Sequence, residues 1–232
     1  MRVLVTRSKD DAERTARKLA ARGHEACLAP VTRIVPTGEP MPHGAYDALI
    51  VTSAHGVEAL ASLADRQSQV FAVGERTADA VRTAGFAHVA AADGDAASLS
   101  GLIRRSIRPG LTLLHVTARH HKEEPAASLR AAGFTVTQWE AYEAQAMENL
   151  PEVAAQALRT GQIGAALHYS RRSADLVVRL AEEAGLARAL RAFPHLCLSA
   201  DVAAPLTLAG AAARVAEDPT EDALLKLLGP PP

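Results

Sequence analysis

Leu49-Ile50-Val51-Thr52-Ser53 is an apolar run that ends in two hydroxyls and leads into an amphipathic helix; it returns as Ala166-Leu167-His168-Tyr169-Ser170. The blocks on either side are duplicated too. Leu4-Val5-Thr6-Arg7, with a helix running to Leu19 and Gly23, returns as His115-Val116-Thr117-Ala118, Leu129 and Gly133. Val70-Phe71-Ala72-Val73-Gly74 returns as Leu196-Cys197-Leu198-Ser199, and the next helix ends at Gly85 in one copy and Gly210 in the other. Asp95, Leu99 and Leu102 return as Thr220, Leu224 and Leu227. The offset grows slowly, from 110 between Gly23 and Gly133 to 117 between Ser53 and Ser170 and 125 between Gly85 and Gly210. Loop insertions in a duplicated domain produce such a drift, whereas a solenoid would show many copies at a short period. Two similar lobes imply a ligand cleft between them.

The duplicated runs are short and continuously apolar: Val3 to Val5, Ala48 to Val51, Val70 to Val73, Leu111 to Val116, Ala165 to Leu167 and His195 to Leu198. Strands covered by helices on both faces of a parallel sheet have this pattern. Between them lie helical patterns such as Asp10 to Ala21, apolar at Ala12, Ala16, Leu19 and Ala20 and basic on the opposite face. Gly23, Gly85, Gly133 and Gly185 stand where those helices should stop. Alternating strands and helices give an α/β fold with parallel sheets and right-handed crossovers.

Bulk composition excludes several functions. A net charge of −1 lacks the basic face that nucleic acid requires, and 3% aromatic residues leave little for base stacking. Cys27 and Cys197 lie in apolar runs and read as small core residues; neither a disulfide framework nor a metal site is expected. His120 and His121 are adjacent and cannot face one ion from a helix, so His115, His120 and His121 do not read as a metal site. No run is long enough to span a bilayer and no leader precedes the first strand, so the chain reads as cytoplasmic. The tail Gly229–Pro232 reads as disordered.

Pro30 to Pro42 and Glu140 to Pro151 are polar, proline-bearing stretches at equivalent places in the two copies. If both connect lobes, residues 1–35 plus 147–232 form one lobe and 36–146 the other. A simpler division falls near Arg108-Pro109-Gly110, and periodicity does not choose between them.

Ligands of open parallel sheets bind beyond the carboxyl ends of the strands. Four such turns carry small polar residues: Thr6-Arg7-Ser8, Thr52-Ser53-Ala54-His55-Gly56, Gly74-Glu75-Arg76-Thr77-Ala78 and Tyr169-Ser170-Arg171-Arg172-Ser173. Hydroxyls and free amides at helix N-termini bind anions, although Ser53, Thr77 and Ser170 could equally cap their helices. Arg7, Arg119, Lys122, Arg171 and Arg172 stand at or just beyond these strand ends and suit a polyanionic ligand. There is no Gly-x-Gly-x-x-Gly turn, no Walker lysine and no Gly-x-Ser-x-Gly elbow.

Val3-Leu4-Val5-Thr6-Arg7, Thr52-Ser53-Ala54 before Val57, Val73-Gly74-Glu75-Arg76-Thr77-Ala78, and Tyr142 after a second-copy strand occur in the order found in uroporphyrinogen-III synthases, and the chain resembles that family over nearly its whole length. The resemblance implies two α/β lobes joined by a two-stranded connector. It also implies closure of hydroxymethylbilane to uroporphyrinogen III, with loss of water, inversion of the last ring, and no metal or organic cofactor. The expected partners are hydroxymethylbilane and uroporphyrinogen III, with hydroxymethylbilane synthase as a transient one; no nucleic acid or membrane is expected, and the chain is expected to be a monomer. Position by position, Tyr142 becomes the candidate to assist departure of the substrate hydroxyl. Ser53, Thr77, Ser170 and Lys122, with Arg7, Arg119 and Arg171, become the substrate-binding candidates. Two departures stand out: Asp201 in Ser199-Ala200-Asp201-Val202-Ala203 would repel a substrate carboxylate, and Ala118 replaces a common glycine. The Asp201 turn favours the alternative of a non-catalytic, two-lobed ligand-binding or regulatory protein; an enzyme of another α/β family is a third reading.

Overall fold

A computed structural model describes residues 1–61 and 65–229; the proline tail read as disordered lies outside the described residues past Gly229. In chain order the elements are β1 (Arg2–Val5), α1 (Lys9–Ala20), β2 (Glu25–Leu28), β3 (Thr32–Pro36), β4 (Ala48–Val51), α2 (Val57–Ala61), β5 (Gln69–Ala72), α3 (Glu75–Thr83), β6 (Val89–Ala91), α4 (Ala96–Ser106), β7 (Thr112–Ala118), α5 (Ala126–Ala131), β8 (Thr135–Ala146), α6 (Glu152–Arg159), β9 (Ala165–His168), α7 (Arg171–Glu183), α8 (Ala187–Leu190), β10 (His195–Cys197), α9 (Ala200–Leu208), β11 (Ala213–Val215) and α10 (Glu221–Lys226). They fall into two compact units: Met1–Arg33 with Gln145–Pro232, and Ile34–Ala144. No described helix is long and apolar enough to cross a membrane.

The first unit holds a sheet ordered β11-β10-β9-β1-β2, and the second a sheet ordered β3-β8-β7-β4-β5-β6. Leaving β3 aside, the two orders coincide once β1, β2, β9, β10 and β11 are matched to β7, β8, β4, β5 and β6. Each sheet therefore combines strands from both sequence copies: β1 and β2 are completed by β9 to β11, while β4 to β6 are completed by β7 and β8. Register is kept as well. Leu4 lies opposite Cys27 and Ala166, and Leu114 lies opposite Thr137 and Leu49. His195 pairs with Ala166 as Val70 pairs with Leu49.

This pairing shifts the first duplicated block by one residue. Residue types align Leu4 with His115, but strand register aligns it with Leu114. A slip of one would turn every side chain to the opposite face. The faces agree with the register: Leu4 and Ala166 share one core, while Leu114 and Leu49 share its counterpart in the other unit.

Each sheet is covered on both sides, which is why its central strands are apolar throughout. In the first unit Leu4, Ala166 and Cys197 pack against α6, α7 and α9 through Leu158, Val177 and Leu206. Val3, Val5 and Leu167 pack against α1 and α10 through Leu19, Leu224 and Leu225. In the second, Leu49, Val51 and Leu114 meet Leu60 and Val81 of α2 and α3, while Ile50, Phe71 and Leu113 meet Leu99, Ile103 and Leu129 of α4 and α5. Replacing a fully buried leucine of these layers by alanine costs about 2–5 kcal/mol. Repeated helix ends follow from local chemistry. Asp95 and Thr220 cap α4 and α10 by accepting from Ser98 N and Ala223 N. Gly23 and Gly133 end α1 and α5 at φ +72 and +88, where a Cβ would be strained.

The two polar stretches contain more strand than their composition suggests. Thr32–Pro36 forms β3, an edge position where proline removes no needed donor. Glu140 to Ala146 continues β8 rather than leaving it, so Tyr142 lies within that strand. Met147 N donates to Val31 O and Thr37 N to Ala141 O, which sets β3 and β8 antiparallel. A register shift of β7 between Thr117 and Ala118, opposite Tyr142, lets β8 bend there.

Candidate functional site

Each sheet has a topological switch point, between β1 and β9 in the first unit and between β4 and β7 in the second. The loops diverge beyond these strand ends and leave room for a ligand. The duplication has filled the two places differently.

In the first unit the space is taken by the protein itself. Arg7 stacks over the Tyr169 ring, 4.1 Å from its centroid, and pairs with Glu221 at 3.1 Å and Asp11 at 3.4 Å. The same Glu221 carboxylate accepts from Thr15 Oγ1 at 2.8 Å and Tyr169 Oη at 2.9 Å, and Lys18 Nζ lies 2.6 Å away. Burial alone would push the Glu221 pKa up, but the bonds from Lys18, Thr15 and Tyr169 override it and hold the group at about 2. Burial also pushes the Tyr169 phenol well above its ordinary value. Arg7 is thus matched within its own unit.

In the second unit the turn after β4 is built around a neutral hydroxyl. Ser53 precedes a 3-10 turn, Ala54–Gly56, and its Oγ accepts from His55 N at 3.3 Å. Ser53 also hydrogen-bonds the Tyr142 phenol, whose pKa burial pushes up. Gly56 keeps the turn close: a Cβ there would lie 3.4 Å from Tyr142 Cε1 and from the methyls of Val51 and Val116. Beside Tyr142 opens a pocket of about 300 Å³ lined by Ile34, Glu39, His55, Glu58 and Trp139 among others. The His55 and Tyr142 rings stand 6.3 Å apart, and Trp139 Nε1 donates to Glu39 O at 2.9 Å. Arg119 N donates to Tyr142 O, and the Arg119 guanidinium pairs with Glu143 at 3.1 Å and Glu39 at 3.6 Å.

The remaining candidates are scattered. Thr77 is buried in the first turn of α3 and does not cap it; Gly74 occupies the cap position. Ser170 caps α7 by accepting from Ser173 N at 3.1 Å. Arg171 pairs with Asp201 at 2.9 Å, so the acidic residue that would repel a ligand carboxylate is neutralised by a neighbouring helix start. Lys122 is exposed in the loop after β7. His115 is buried with its pKa pushed down to about 4, chiefly by burial and then by the charges of His121 and Arg130; its Nε2 lies 3.3 Å from Thr52 Oγ1. Among the described residues no group of three His, Cys, Asp or Glu is placed to hold a metal ion.

Ser53, Tyr142 and Arg119 therefore come together, while Arg7, Ser170 and Arg171 belong to the other unit. His55, Trp139, Glu39 and Glu58 were not candidates from sequence. The His55 turn and the single tryptophan were the only signals available for them.

A family model described as uroporphyrinogen-III synthase HemD matches residues 13–226. Among solved structures, the uroporphyrinogen-III synthetase from Helicobacter pylori superposes with a TM-score of 0.67 at 16% identity, over 98% of each chain. A mutant uroporphyrinogen III synthase from the extremely thermophilic bacterium Thermus thermophilus superposes with a TM-score of 0.50 at 20% identity, over 99% of this chain and 96% of that one. At these identities the likeness establishes the α/β fold. No curated protein sequence matches the chain.

Proposed function

The chain belongs to the uroporphyrinogen-III synthase family, and from that premise we propose that it closes hydroxymethylbilane to uroporphyrinogen III, with loss of water and inversion of the last pyrrole ring. The observation that carries the reading to particular atoms is the Tyr142 phenol, held by Ser53 on the wall of a pocket. Because Ser53 Oγ accepts from His55 N, its own hydrogen is available to the Tyr142 oxygen. The phenolic hydrogen is then left for a ligand. Burial keeps this phenol neutral near pH 7, so it acts as a donor.

The terminal C–O bond of the substrate breaks with its electron pair on oxygen, and a proton passed along the Tyr142 hydrogen bond completes a water molecule. The positive charge left behind spreads over the terminal pyrrole as an azafulvene cation. The substituted carbon of the neutral, electron-rich pyrrole at the other end of the chain attacks the cationic methylene carbon to give a spiro intermediate. The old bridge bond to that carbon then breaks, and the ring recloses through its free carbon and is thereby reversed. The closing carbon gives up a proton, which restores the phenol. No protein nucleophile is required; the protein contributes by holding a flexible chain in the geometry that reacts. Lys122, exposed beyond β7, is the proposed carboxylate partner in the second unit, whereas Arg119, Arg7, Ser170 and Arg171 would serve only by exchanging the protein partners that hold them. The enzyme that makes hydroxymethylbilane is a proposed transient partner.

Freshly generated hydroxymethylbilane incubated with the purified protein tests the reading. A type III product supports it. Only the spontaneous type I isomer rejects it and leaves the non-catalytic reading.

A further inference from the structure

The pocket beside Tyr142 has the wrong charge for a carboxylate. Glu39 and Glu58 are among its lining residues, with Trp139, Tyr142 and Ile34 giving it an aromatic and aliphatic surface. Arg119, which reaches Glu39, is shared between Glu39 and Glu143. A ligand carboxylate entering here would meet two like charges and lose its hydration. A ring that donates N–H or carries positive charge gains on both counts: carboxylates accept its hydrogens, and an aromatic face attracts a cation.

We propose that this pocket, formed wholly within Ile34–Ala144, is a subsite for one pyrrole-type ring in its neutral or cationic form, with that ring's carboxylate side arms directed outward. The assignment rests on the proposed reaction for its role: the terminal ring becomes cationic when hydroxide leaves, and Glu39 and Glu58 lie where they stabilise that charge as it develops. The other rings keep their carboxylates for basic residues elsewhere. Charge selection at this one place would decide which end of the chain is activated.

Trp139 is the chain's single tryptophan and lines the pocket, so its emission reports occupancy directly. The experiment titrates the full protein with 2-(aminomethyl)pyrrole, a cation of the right shape, and in parallel with pyrrole-2-carboxylate. The cation should change Trp139 emission saturably and bind about tenfold more tightly than the anion. Glu58→Gln, an exposed change on α2, should weaken the cation several-fold without altering the far-ultraviolet spectrum. Glu39→Gln serves as a second variant, since it also releases Arg119. Equal binding of both probes, tighter binding of the carboxylate, or an unchanged emission overturns the subsite. If the cation binds as expected while bilane closes only to the type I isomer, the subsite stands and the reaction assignment falls.

Discussion

Lys18 of α1 and Glu221 of α10 meet at 2.6 Å, and their contact fastens the last helix of the chain over the first. Glu221 also receives Thr15, Tyr169 and Arg7, so one carboxylate satisfies four donors contributed by three segments. Its folded pKa of about 2 lies below the unfolded value of 4.5. The stabilisation is therefore complete above about pH 4.5 and is lost as pH falls towards 2. Glu221→Gln should reduce stability by about 2 kcal/mol at pH 7, and the difference from the unmodified protein should shrink steadily below pH 4.5. Urea titrations at pH 7, 4 and 3 measure it; a gap that is constant with pH refutes the arrangement.

Two buried histidines should act with the opposite chemistry. His168 Nε2 lies 2.9 Å from His195 Nδ1, and His195 Nε2 lies 2.7 Å from Leu190 O. The carbonyl fixes the order: His195 donates from Nε2, accepts at Nδ1, and His168 donates to it. Burial lowers the pKa of both, with the neighbouring His195 adding to the shift at His168. Below about pH 6.5 the unfolded chain takes up protons that the folded one refuses, so stability falls on acidification by about 1.4 kcal/mol per pH unit for each such group. His168→Gln retains a donor to His195 but cannot titrate. Its denaturation midpoint should vary less with pH between 6.5 and 5.5 than that of the unmodified protein, and an identical slope would show that His168 is protonated in the folded state.

How far the sequence could be read depends on the range over which each feature is encoded. The apolar runs around Leu4, Ile50, Leu114 and Ala166 announce buried parallel strands because each is doubly covered, and the glycines after α1 and α5 announce their ends. The strand β3 was hidden because Pro30 and Pro36 are read as breakers, yet an edge strand tolerates them. The pocket was hidden for a different reason. Trp139 bonds the backbone of Glu39 across a hundred residues, and His55 reaches the same place from a third segment. Arginines were legible as charges, but the pairing of Arg7 with Glu221 and of Arg171 with Asp201 depends on which helices lie side by side.

Ser53 and Thr77 look alike in sequence and should behave differently. Ser53→Ala removes both the cap of the Ala54–Gly56 turn and the partner of Tyr142, costing about 1 kcal/mol of stability and weakening uroporphyrinogen III in calorimetry. Thr77→Ala acts inside α3, where the side chain is buried, and should lower stability by a similar amount while leaving product affinity within about twofold. Equal losses of affinity would place Thr77 against the ligand.

Tyr142→Phe is the sharpest single change. The ring stays within the same core, beside Trp139 and Val116, so the variant should fold with a stability within about 1 kcal/mol of the unmodified protein. What disappears is the hydroxyl proposed to give its proton to the departing oxygen, and general-acid assistance of that kind is worth roughly a hundredfold in rate or more. Substrate contacts made by the rest of the site are untouched, so the loss should appear in kcat with KM nearly unchanged. Ser53→Ala, which leaves the phenol in place but unsupported, should give an intermediate loss. Stopped-flow measurement of type III product from freshly generated hydroxymethylbilane separates these cases. A full rate in Tyr142→Phe would assign the tyrosine to packing and move the search for the proton donor to His55, the other titratable group whose ring faces the same pocket.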